Sequence, residues 1–198
     1  MNTQTYRSLV TEELLKNTLD HNAHTGFLED YRVLSCLLKI YNPKSIFECG
    51  TNIGSGINVI KTALPEIEVF SLDLDYETMK LNSKQYPIGP NGEDRVGSAT
   101  MFPYTQLRGD SLTFDYSKYP CEAYFIDGEH DYEHPYHETI EIAKLQPNII
   151  IWHDSDIPEV WDAINDGLKE VEYWRPEIQY KLYRVEDTRI AYALKMEE

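Results

Sequence analysis

One short stretch, from Ser45 to Gly56, constrains the fold of this chain more than any other. It reads SIFECGTNIGSG, so an apolar run ends in an acid, breaks into a glycine-rich turn and continues into a helical pattern of apolar residues. This order of strand, glycine turn and helix is typical of nucleotide sites in doubly wound α/β sheets, because glycine lets the backbone approach the ligand closely. The stretch therefore predicts a nucleotide-type ligand at the carboxyl edge of a parallel sheet.

The spacing of the glycines narrows the kind of ligand. Gly50, Gly54 and Gly56 give G-x-x-x-G-x-G, which is not the G-x-G-x-x-G fingerprint of dinucleotide sites. Glu48 lies two residues before the first glycine, where its charge would repel a pyrophosphate and suits a cationic ligand better. The spacing therefore argues against a nicotinamide-dependent Rossmann enzyme, which stays open as an alternative.

The rest of the chain alternates strand and helix patterns, which predicts a doubly wound, mostly parallel sheet with right-handed crossovers. A C-terminal hairpin, predicted from two segments of alternating polarity, supplies an antiparallel edge and brings the total to seven strands. The predicted strands are 45–48, 68–73, 106–110, 122–127, 148–153, 179–185 and 189–194, and the predicted helices of the α/β part are 55–64, 77–84, 139–145 and 158–171.

The chain is interpreted as one domain, in which an N-terminal helical cap over residues 1–43 precedes an α/β core over 44–198. Residues 86–105 are polar and contain several prolines and glycines, so they are predicted to form a long loop. Loops of this length inside a compact domain are often lids or binding loops, although a disordered insert explains the pattern equally well.

Composition limits the partners. Lys and Arg total 18 against 34 for Asp and Glu, a formal charge of -16, so binding to a polynucleotide is not expected. No apolar stretch approaches the roughly 20 residues that span a bilayer, and the first residues lack the pattern of a signal peptide. The three cysteines are scattered, which fits reduced thiols. We therefore expect a cytoplasmic protein that acts on a small molecule; its oligomeric state stays open.

Acidic residues recur at the ends of the predicted strands. Glu48, Asp73, Asp110 and Asp127 each end a strand, and Asp154 follows the fifth. Parallel strands end at the same edge of a sheet, where α/β proteins bind their ligands. Asp73 lies roughly 20 residues after the first glycine, where an acid commonly accepts hydrogen bonds from ribose hydroxyls. The sequence therefore predicts one acidic ligand site along this edge.

The E-x-G-T-x-x-G-x-G run, joined to Asp73 and Asp110, resembles class I S-adenosylmethionine-dependent methyltransferases, in the form typical of small-molecule O-methyltransferases. The resemblance implies a Rossmann-like seven-stranded fold and S-adenosylmethionine as cofactor. It places Glu48 near the ammonium of the methionine part, Asp73 at the ribose and Asp110 with Ser111 near the adenine. The implied cofactor-binding residues are Glu48, Gly50, Thr51, Asn52, Gly54, Ser55, Asp73, Leu74, Asp110, Ser111 and Asp127.

A second polar cluster follows the fourth predicted strand. It reads DGEHDYEH, with His130 three residues after Asp127. The unperturbed pKa of histidine, about 6.5, suits proton abstraction at neutral pH, so His130 is a candidate general base beside Asp127. His134 and His137 are predicted to lie on the solvated face of the following helix.

The fifth predicted strand ends in His153 and Asp154, which would lie next to Asp127 on the adjacent strand. These three residues could hold one divalent ion: carboxylate oxygens favour a hard cation such as Mg2+, and the histidine also admits Mn2+ or Zn2+. The D-G-x-H and H-D pairing resembles the subgroup of macrocin-type sugar O-methyltransferases and cephalosporin hydroxylase-like relatives. That resemblance implies Asp127, His153 and Asp154 as metal ligands and His130 as the base, although an acid is more usual at position 153.

The sequence thus predicts a metal-assisted O-methyltransferase that acts on a small hydroxylated acceptor, such as a sugar or a natural product. Two further alternatives stay open: a methyltransferase that needs no metal, and a protein that binds S-adenosylmethionine without catalysing a reaction. No motif in the sequence identifies the acceptor.

Overall fold

The computed structural model describes residues 2–16, 28–81 and 88–196 of the chain. Its strands are β1 (Asn2–Gln4), β2 (Ser45–Cys49), β3 (Glu68–Asp73), β4 (Thr105–Arg108), β5 (Ala123–Ile126), β6 (Ile149–Trp152), β7 (Tyr180–Val185) and β8 (Ala191–Lys195). Its α-helices are α1 (Tyr6–Leu9), α2 (Glu12–Leu15), α3 (Leu28–Tyr41), α4 (Ser55–Ala63), α5 (Tyr76–Leu81), α6 (Glu133–Lys144) and α7 (Pro158–Trp174), and a 3₁₀ turn covers Tyr116–Lys118. Residues 17–27 of the predicted N-terminal cap and the end of the helix predicted over 77–84 lie outside the described residues.

The described strands form one sheet in the order β1-β7-β8-β6-β5-β2-β3-β4. All neighbours run parallel except β8, which is antiparallel to β6 and to β7. The predicted doubly wound, mostly parallel sheet with an antiparallel C-terminal hairpin is therefore confirmed.

The sheet holds eight described strands rather than the predicted seven, because residues near the N-terminus add an edge strand. β1 pairs in parallel with β7, with Asn2 opposite Tyr183. A strand of three residues is too short to show a period-2 pattern, so it could not be predicted from the sequence. The residues that follow β1 form two one-turn helices, α1 and α2.

Two apolar cores cover the faces of the sheet, and the strands between them are buried on both sides. On one face, Leu34 of α3 and Ile57 of α4 pack in the same cluster as Ile46 of β2. On the other face, Ile164 of α7 packs in the same cluster as Trp152 of β6. All four residues of β5 and all four of β6 are buried, which explains their continuous apolar sequences.

The order of the strands fixes where a ligand can bind. β2 lies between β3 and β5, so the chain continues to one side of β2 with β3 and β4, and to the other side with β5 and β6. Two loops that leave in opposite directions open a crevice at the carboxyl ends of these strands, and this is where doubly wound sheets bind ligands.

The predicted long loop packs against the glycine turn. Within the described part, residues 88–104, Gly97 N donates to the carbonyl of Asn52 at 2.7 Å, and Ala99 N donates to the carbonyl of Ile53 at 2.9 Å. Asn58 of α4 donates from Nδ2 to the Ala99 carbonyl at 2.9 Å. The segment from Gly97 to Ala99 therefore lies along one side of the turn that follows β2. None of the helices in the described ranges combines the length and the apolar character needed to cross a membrane.

Candidate active site

A cavity of about 470 Å³ opens at the carboxyl edge of the sheet, next to the point where the strand order reverses. Residues at the ends of β2, β3, β4 and β5 and on α6 form its walls. The lining residues are Cys49, Gly50, Asn52, Leu72, Asp73, Leu74, Gly109, Asp110, Ser111, Leu112, Asp127, Gly128, Glu129, His130, His134 and Glu138. Seven of the eleven predicted cofactor-binding residues are among them: Gly50, Asn52, Asp73, Leu74, Asp110, Ser111 and Asp127.

The glycine turn after β2 draws three strand ends together. Gly50 has φ = +96°, and a Cβ at this position would collide with the carbonyl oxygen of Asp127, so only glycine fits. The amides of Gly50 and Thr51 both donate to the Leu72 carbonyl of β3, at 2.9 and 3.2 Å. Gly54, the residue before α4, has φ = +97°. The turn thus links the end of β2 to β3 on one side and to β5 on the other.

Asp73 is anchored by the backbone at the wall of the cavity. Its Oδ2 accepts a hydrogen bond from Asn52 N at 2.7 Å, and its Oδ1 accepts one from Leu74 N at 2.8 Å. Burial raises the pKa of the Asp73 carboxyl, although both hydrogen bonds act in the opposite direction. Each oxygen of a carboxylate can accept a second hydrogen bond, so the group is oriented and still able to bind hydroxyls.

Glu48 is not among the residues that line the cavity. Its side chain is buried, its Oε2 accepts a hydrogen bond from the Ser71 hydroxyl, and a Cβ at Gly56 would collide with its Oε1. Burial raises the pKa of Glu48 to about 8. Thr51, Gly54 and Ser55 also lie outside the cavity lining. Their roles in cofactor binding stay predictions, as does the proximity of Glu48 to a cofactor ammonium.

The three predicted metal ligands come together at the ends of β5 and β6. One ligand atom each from Asp127, His153 and Asp154 lies within 4.8 Å of the other two. His153 Nδ1 is 3.2 Å from Asp127 Oδ1 and 2.8 Å from Asp154 Oδ2. His153 and Asp154 are buried, whereas Asp127 also lines the cavity. This cluster therefore borders the cavity through Asp127.

Asp30 of α3 completes this cluster, although no pattern in the sequence predicts its place there. Its Oδ2 is 3.2 Å from His153 Nε2, and its Oδ1 accepts a hydrogen bond from Arg189 N at 2.9 Å. Asp30 is 3 % exposed although it is charged. Only this burial distinguishes it from an ordinary acid in the first turn of a helix, and burial is not visible in the sequence.

Positive side chains surround Asp154. His130 Nε2 lies 2.8 Å from its Oδ2, and Arg189 Nη2 lies 2.8 Å from its Oδ1. Burial alone would raise the pKa of Asp154, but hydrogen bonds from His130 and His153 reverse that effect and hold the pKa well below its usual range. The same hydrogen bond with Asp154 raises the pKa of His130.

His153 carries the strongest perturbation of the cluster. Burial lowers the pKa of its imidazole, but hydrogen bonds and charges from Asp127, Asp154 and Asp30 outweigh burial and raise the pKa to about 12. Without a bound cation, the ring is therefore an imidazolium that neutralises part of the carboxylate charge around it.

Two residues of α6 line the cavity and were not predicted from the sequence as site residues. His134, predicted on the solvated face of this helix, has a side chain that is 23 % exposed, lines the cavity and contacts the Asp131 carboxylate through Nδ1 at 2.8 Å. Glu138 lines the same cavity and is buried. The two residues are four positions apart and so share one helix face, a signal that was available in the sequence.

Comparisons with known proteins give structural similarity alone. No protein-family model matches the chain, and no curated protein matches its sequence. The fold is similar to that of the O-methyltransferase TomG from Streptomyces achromogenes in complex with SAM, at 16 % identity and a TM-score of 0.54 over 94 % of this chain and 91 % of that one. It is also similar to the O-methyltransferase from Bacillus cereus in complex with SAH, at 17 % identity and a TM-score of 0.54 over 93 % and 90 % of the two chains.

A third solved structure, the SAH-bound methyltransferase PaMTH1 of Podospora anserina, aligns with a TM-score of 0.57 at 10 % identity over 87 % of this chain and 80 % of that one. At such identities the similarity establishes the fold, which is the Rossmann-like fold of class I methyltransferases. Strand order, cavity position and Asp73 are consistent with that fold.

Proposed function

We propose that this protein is an S-adenosylmethionine-dependent O-methyltransferase that acts on a small hydroxylated acceptor, such as a sugar or a natural product, with the help of a divalent ion. One observation carries the proposal. The cavity at the switch point of a methyltransferase-type sheet is continuous, through Asp127, with a cluster of carboxylates and histidines suited to proton transfer and cation binding.

The cofactor would lie along the cavity, with its ribose at the end of β3. Asp73 is held by two backbone amides, so its free acceptor positions are available for the ribose hydroxyls. Asp110 and Ser111 line the part of the cavity beyond β4, where the adenine would bind. The methionine part would then extend along the glycine turn towards Asp127, which is the side of the cavity that borders His130.

The residues at the ends of β5 and β6 fit a divalent cation. Two carboxylates and one imidazole converge, and the imidazole presents Nδ1 to the carboxylates while Asp30 holds its Nε2. A carboxylate on the second nitrogen is the usual support of a metal-ligating histidine. Asp127, His153 and Asp154 would hold the ion, which would lower the pKa of an acceptor hydroxyl and fix its direction.

His130 is proposed as the proton acceptor. Its ring is half-exposed at the edge of the cavity, and its Nε2 contacts Asp154 Oδ2. Asp154 would keep the proton of the neutral ring on Nε2, which leaves the lone pair of Nδ1 to take the proton of the acceptor hydroxyl. When bound, S-adenosylmethionine supplies the methyl group, and holding it beside the acceptor contributes much of the rate gain.

As part of this proposal, we assign the protein to the macrocin-type subgroup of O-methyltransferases. Its support is the contact between His130 and Asp154, which joins the predicted base directly to a predicted metal ligand. The acceptor class follows from the same subgroup and from the position of the cluster beside the cavity.

A metal-independent form of the same reaction is the second candidate, and a specific observation favours it. Both ring nitrogens of His153 already contact carboxylates, and Arg189 contacts Asp154 and Asp156. These cations neutralise part of the acidic cluster without a metal. In this form His130 would still act as the base, and Asp127 would bind the acceptor.

Calorimetry with S-adenosylhomocysteine, followed by mass spectrometry of methyl transfer to a panel of sugars and phenols, tests the proposal. We expect binding of S-adenosylhomocysteine and transfer of one methyl group to an acceptor hydroxyl. Binding of NAD in place of S-adenosylhomocysteine would contradict the proposal. Cofactor binding without any transfer would instead identify a protein that binds S-adenosylmethionine and has no catalytic role.

A further inference from the structure

One carboxyl group in the lining of the cavity has an oxygen without a hydrogen-bond partner among the described residues. Glu138 of α6 is 1 % exposed, lines the cavity, and its Oε2 makes no hydrogen bond to any of the described residues. The Ser111 side chain lies close enough to this carboxyl group to act against the rise in its pKa that burial causes. An unsatisfied buried acceptor costs roughly 1–3 kcal/mol, so such a group is rare in a folded protein unless a ligand satisfies it.

The surroundings of Glu138 indicate which part of a ligand reaches it. Ser111 after β4 and Gly128 after β5 both lie near the carboxyl group, and a Cβ at Gly128 would stand 3.7 Å from Glu138 Oε1. Leu72 and Leu112 also line the cavity. The lining of the cavity therefore combines a buried acceptor with glycine and apolar side chains, which suit a flat ring.

We propose that Glu138 recognises the adenine ring of the cofactor by accepting a hydrogen bond from its 6-amino group at Oε2. The inference rests on the proposed function, because it assumes that the ribose binds at Asp73. Asp73, Ser111 and Glu138 line the same cavity, so a ribose held at Asp73 would leave Ser111 and Glu138 for the base. The amino group is a hydrogen-bond donor, whereas hypoxanthine carries an acceptor oxygen in its place.

Glu138 is thus a specificity-determining residue that rejects nucleosides without the amino group. A site built around one hydrogen bond discriminates strongly, because the wrong ligand leaves the buried acceptor unpaired. An acceptor oxygen facing Oε2 would add repulsion. Burial also raises the pKa of Glu138 to about 8, so the free protein favours the protonated carboxyl at neutral pH, and a hydrogen-bond donor from the ligand would shift the group towards the carboxylate that accepts it.

Titration calorimetry of the full chain with S-adenosylhomocysteine and with S-inosylhomocysteine tests this inference. The wild type should bind the adenosyl compound more tightly by about 100-fold or more. Glu138→Gln should bring the two affinities within about tenfold, since a carboxamide can turn either an acceptor or a donor towards the ring. Glu141→Gln, on the same helix but exposed and paired with Lys144, should keep the wild-type ratio.

The ratio of the two affinities separates recognition from a merely structural role. Asp73→Asn should weaken both ligands in proportion, because they share the ribose. An unchanged ratio in Glu138→Gln would overturn this inference while the proposed function stands, and failure of the wild type to bind either compound would overturn both. If Glu138→Gln does not fold, Ser111→Ala is the second variant, since loss of its hydroxyl frees the carboxyl group to turn and should also lower the ratio.

Discussion

The Nε2 atom of His153 lies 3.2 Å from Oδ2 of Asp30, so a carboxylate in the first turn of α3 orients an imidazole at the end of β6. The two residues are 123 positions apart in the chain. The opposite nitrogen of the ring faces Asp127 and Asp154. Helix α3 is therefore part of the candidate active site as well as part of the apolar core.

This contact predicts a role for Asp30 in cation binding. Asp30→Asn should weaken Mn2+ binding by about 10- to 100-fold, because it removes the carboxylate that fixes the orientation and raises the basicity of His153. Electron paramagnetic resonance of Mn2+ measures the affinity without any knowledge of the acceptor. Asp156→Asn is the matched control, since Asp156 contacts Arg189 and is not within the cluster around His153. Equal Mn2+ affinity in Asp30→Asn and the wild type would contradict the prediction.

The metal site predicts a second set of outcomes. Asp127→Asn and Asp154→Asn should each abolish specific Mn2+ binding, because each removes one of three converging ligands. A chelator should stop turnover of an accepted substrate, and Mg2+ should restore it. Asp166→Asn, in an exposed acid of α7 that pairs with Lys169, should behave as the wild type. Turnover that persists in the chelator would favour the metal-independent form.

The proposed contact of Asp73 with the ribose predicts that a substitution at this position lowers cofactor affinity. Asp73→Asn should weaken binding of S-adenosylhomocysteine by about 10- to 100-fold, since hydrogen bonds to a charged group contribute roughly 1.5–3 kcal/mol. Calorimetry measures the change. Asp75→Asn provides the control, because Asp75 caps α5 through Thr78 and does not line the cavity. An unchanged affinity in Asp73→Asn would show that the ribose does not bind at Asp73.

The proposed role of His130 as the base predicts that its loss slows the chemical step and leaves cofactor binding intact. His130→Ala should lower kcat by about 100- to 10,000-fold, the usual contribution of general base catalysis, while the affinity for S-adenosylhomocysteine stays close to that of the wild type. His137→Ala, on α6 but outside the cavity lining, should retain full turnover. If both variants have wild-type kcat, His130 is not the base.

The raised pKa of Glu48 predicts how the free energy of unfolding depends on pH. Burial raises its pKa from 4.5 to about 8, so the folded state keeps a proton that the unfolded state has lost between these two values. The free energy of unfolding should therefore fall as pH rises from about 4.5 to 8, by at most about 1.4 kcal/mol per pH unit from this group. Glu48→Gln should remove that component, as chemical denaturation at several pH values would show. Parallel pH profiles of variant and wild type would contradict the burial of an ionisable group here.

Much of the architecture was predictable because it depends on local patterns. The apolar runs at 122–127 and 148–153 predicted two strands, which the structure has at Ala123–Ile126 and Ile149–Trp152, and alternating polarity predicted the C-terminal hairpin. Glycines with positive φ marked the turn after β2. Asp73 and Asp127 were placed at strand ends, and the parallel topology brought both to one cavity.

Other parts of the site could not be predicted because they depend on contacts between distant segments. Asp30 looks like any acid in a first helical turn, and only its burial against His153 reveals its place in the site. The pairing of β1 with β7 joins the two ends of the chain through three residues, too few to leave a pattern. The contact of Arg189 with Asp154 likewise exists only because the hairpin folds back onto the end of β6.

The sequence by itself determined the layer order, the glycine turn and the acids that edge the sheet, because strand periodicity and backbone conformation are set by neighbouring residues. Only the tertiary structure decided how these acids are used. It buried Glu48 beside Ser71 and outside the cavity lining, and it placed Glu138 with a free oxygen inside the cavity. The physical reason is that burial and charge pairing arise from the packing of whole elements, and they decide which of many similar carboxylates can meet a ligand.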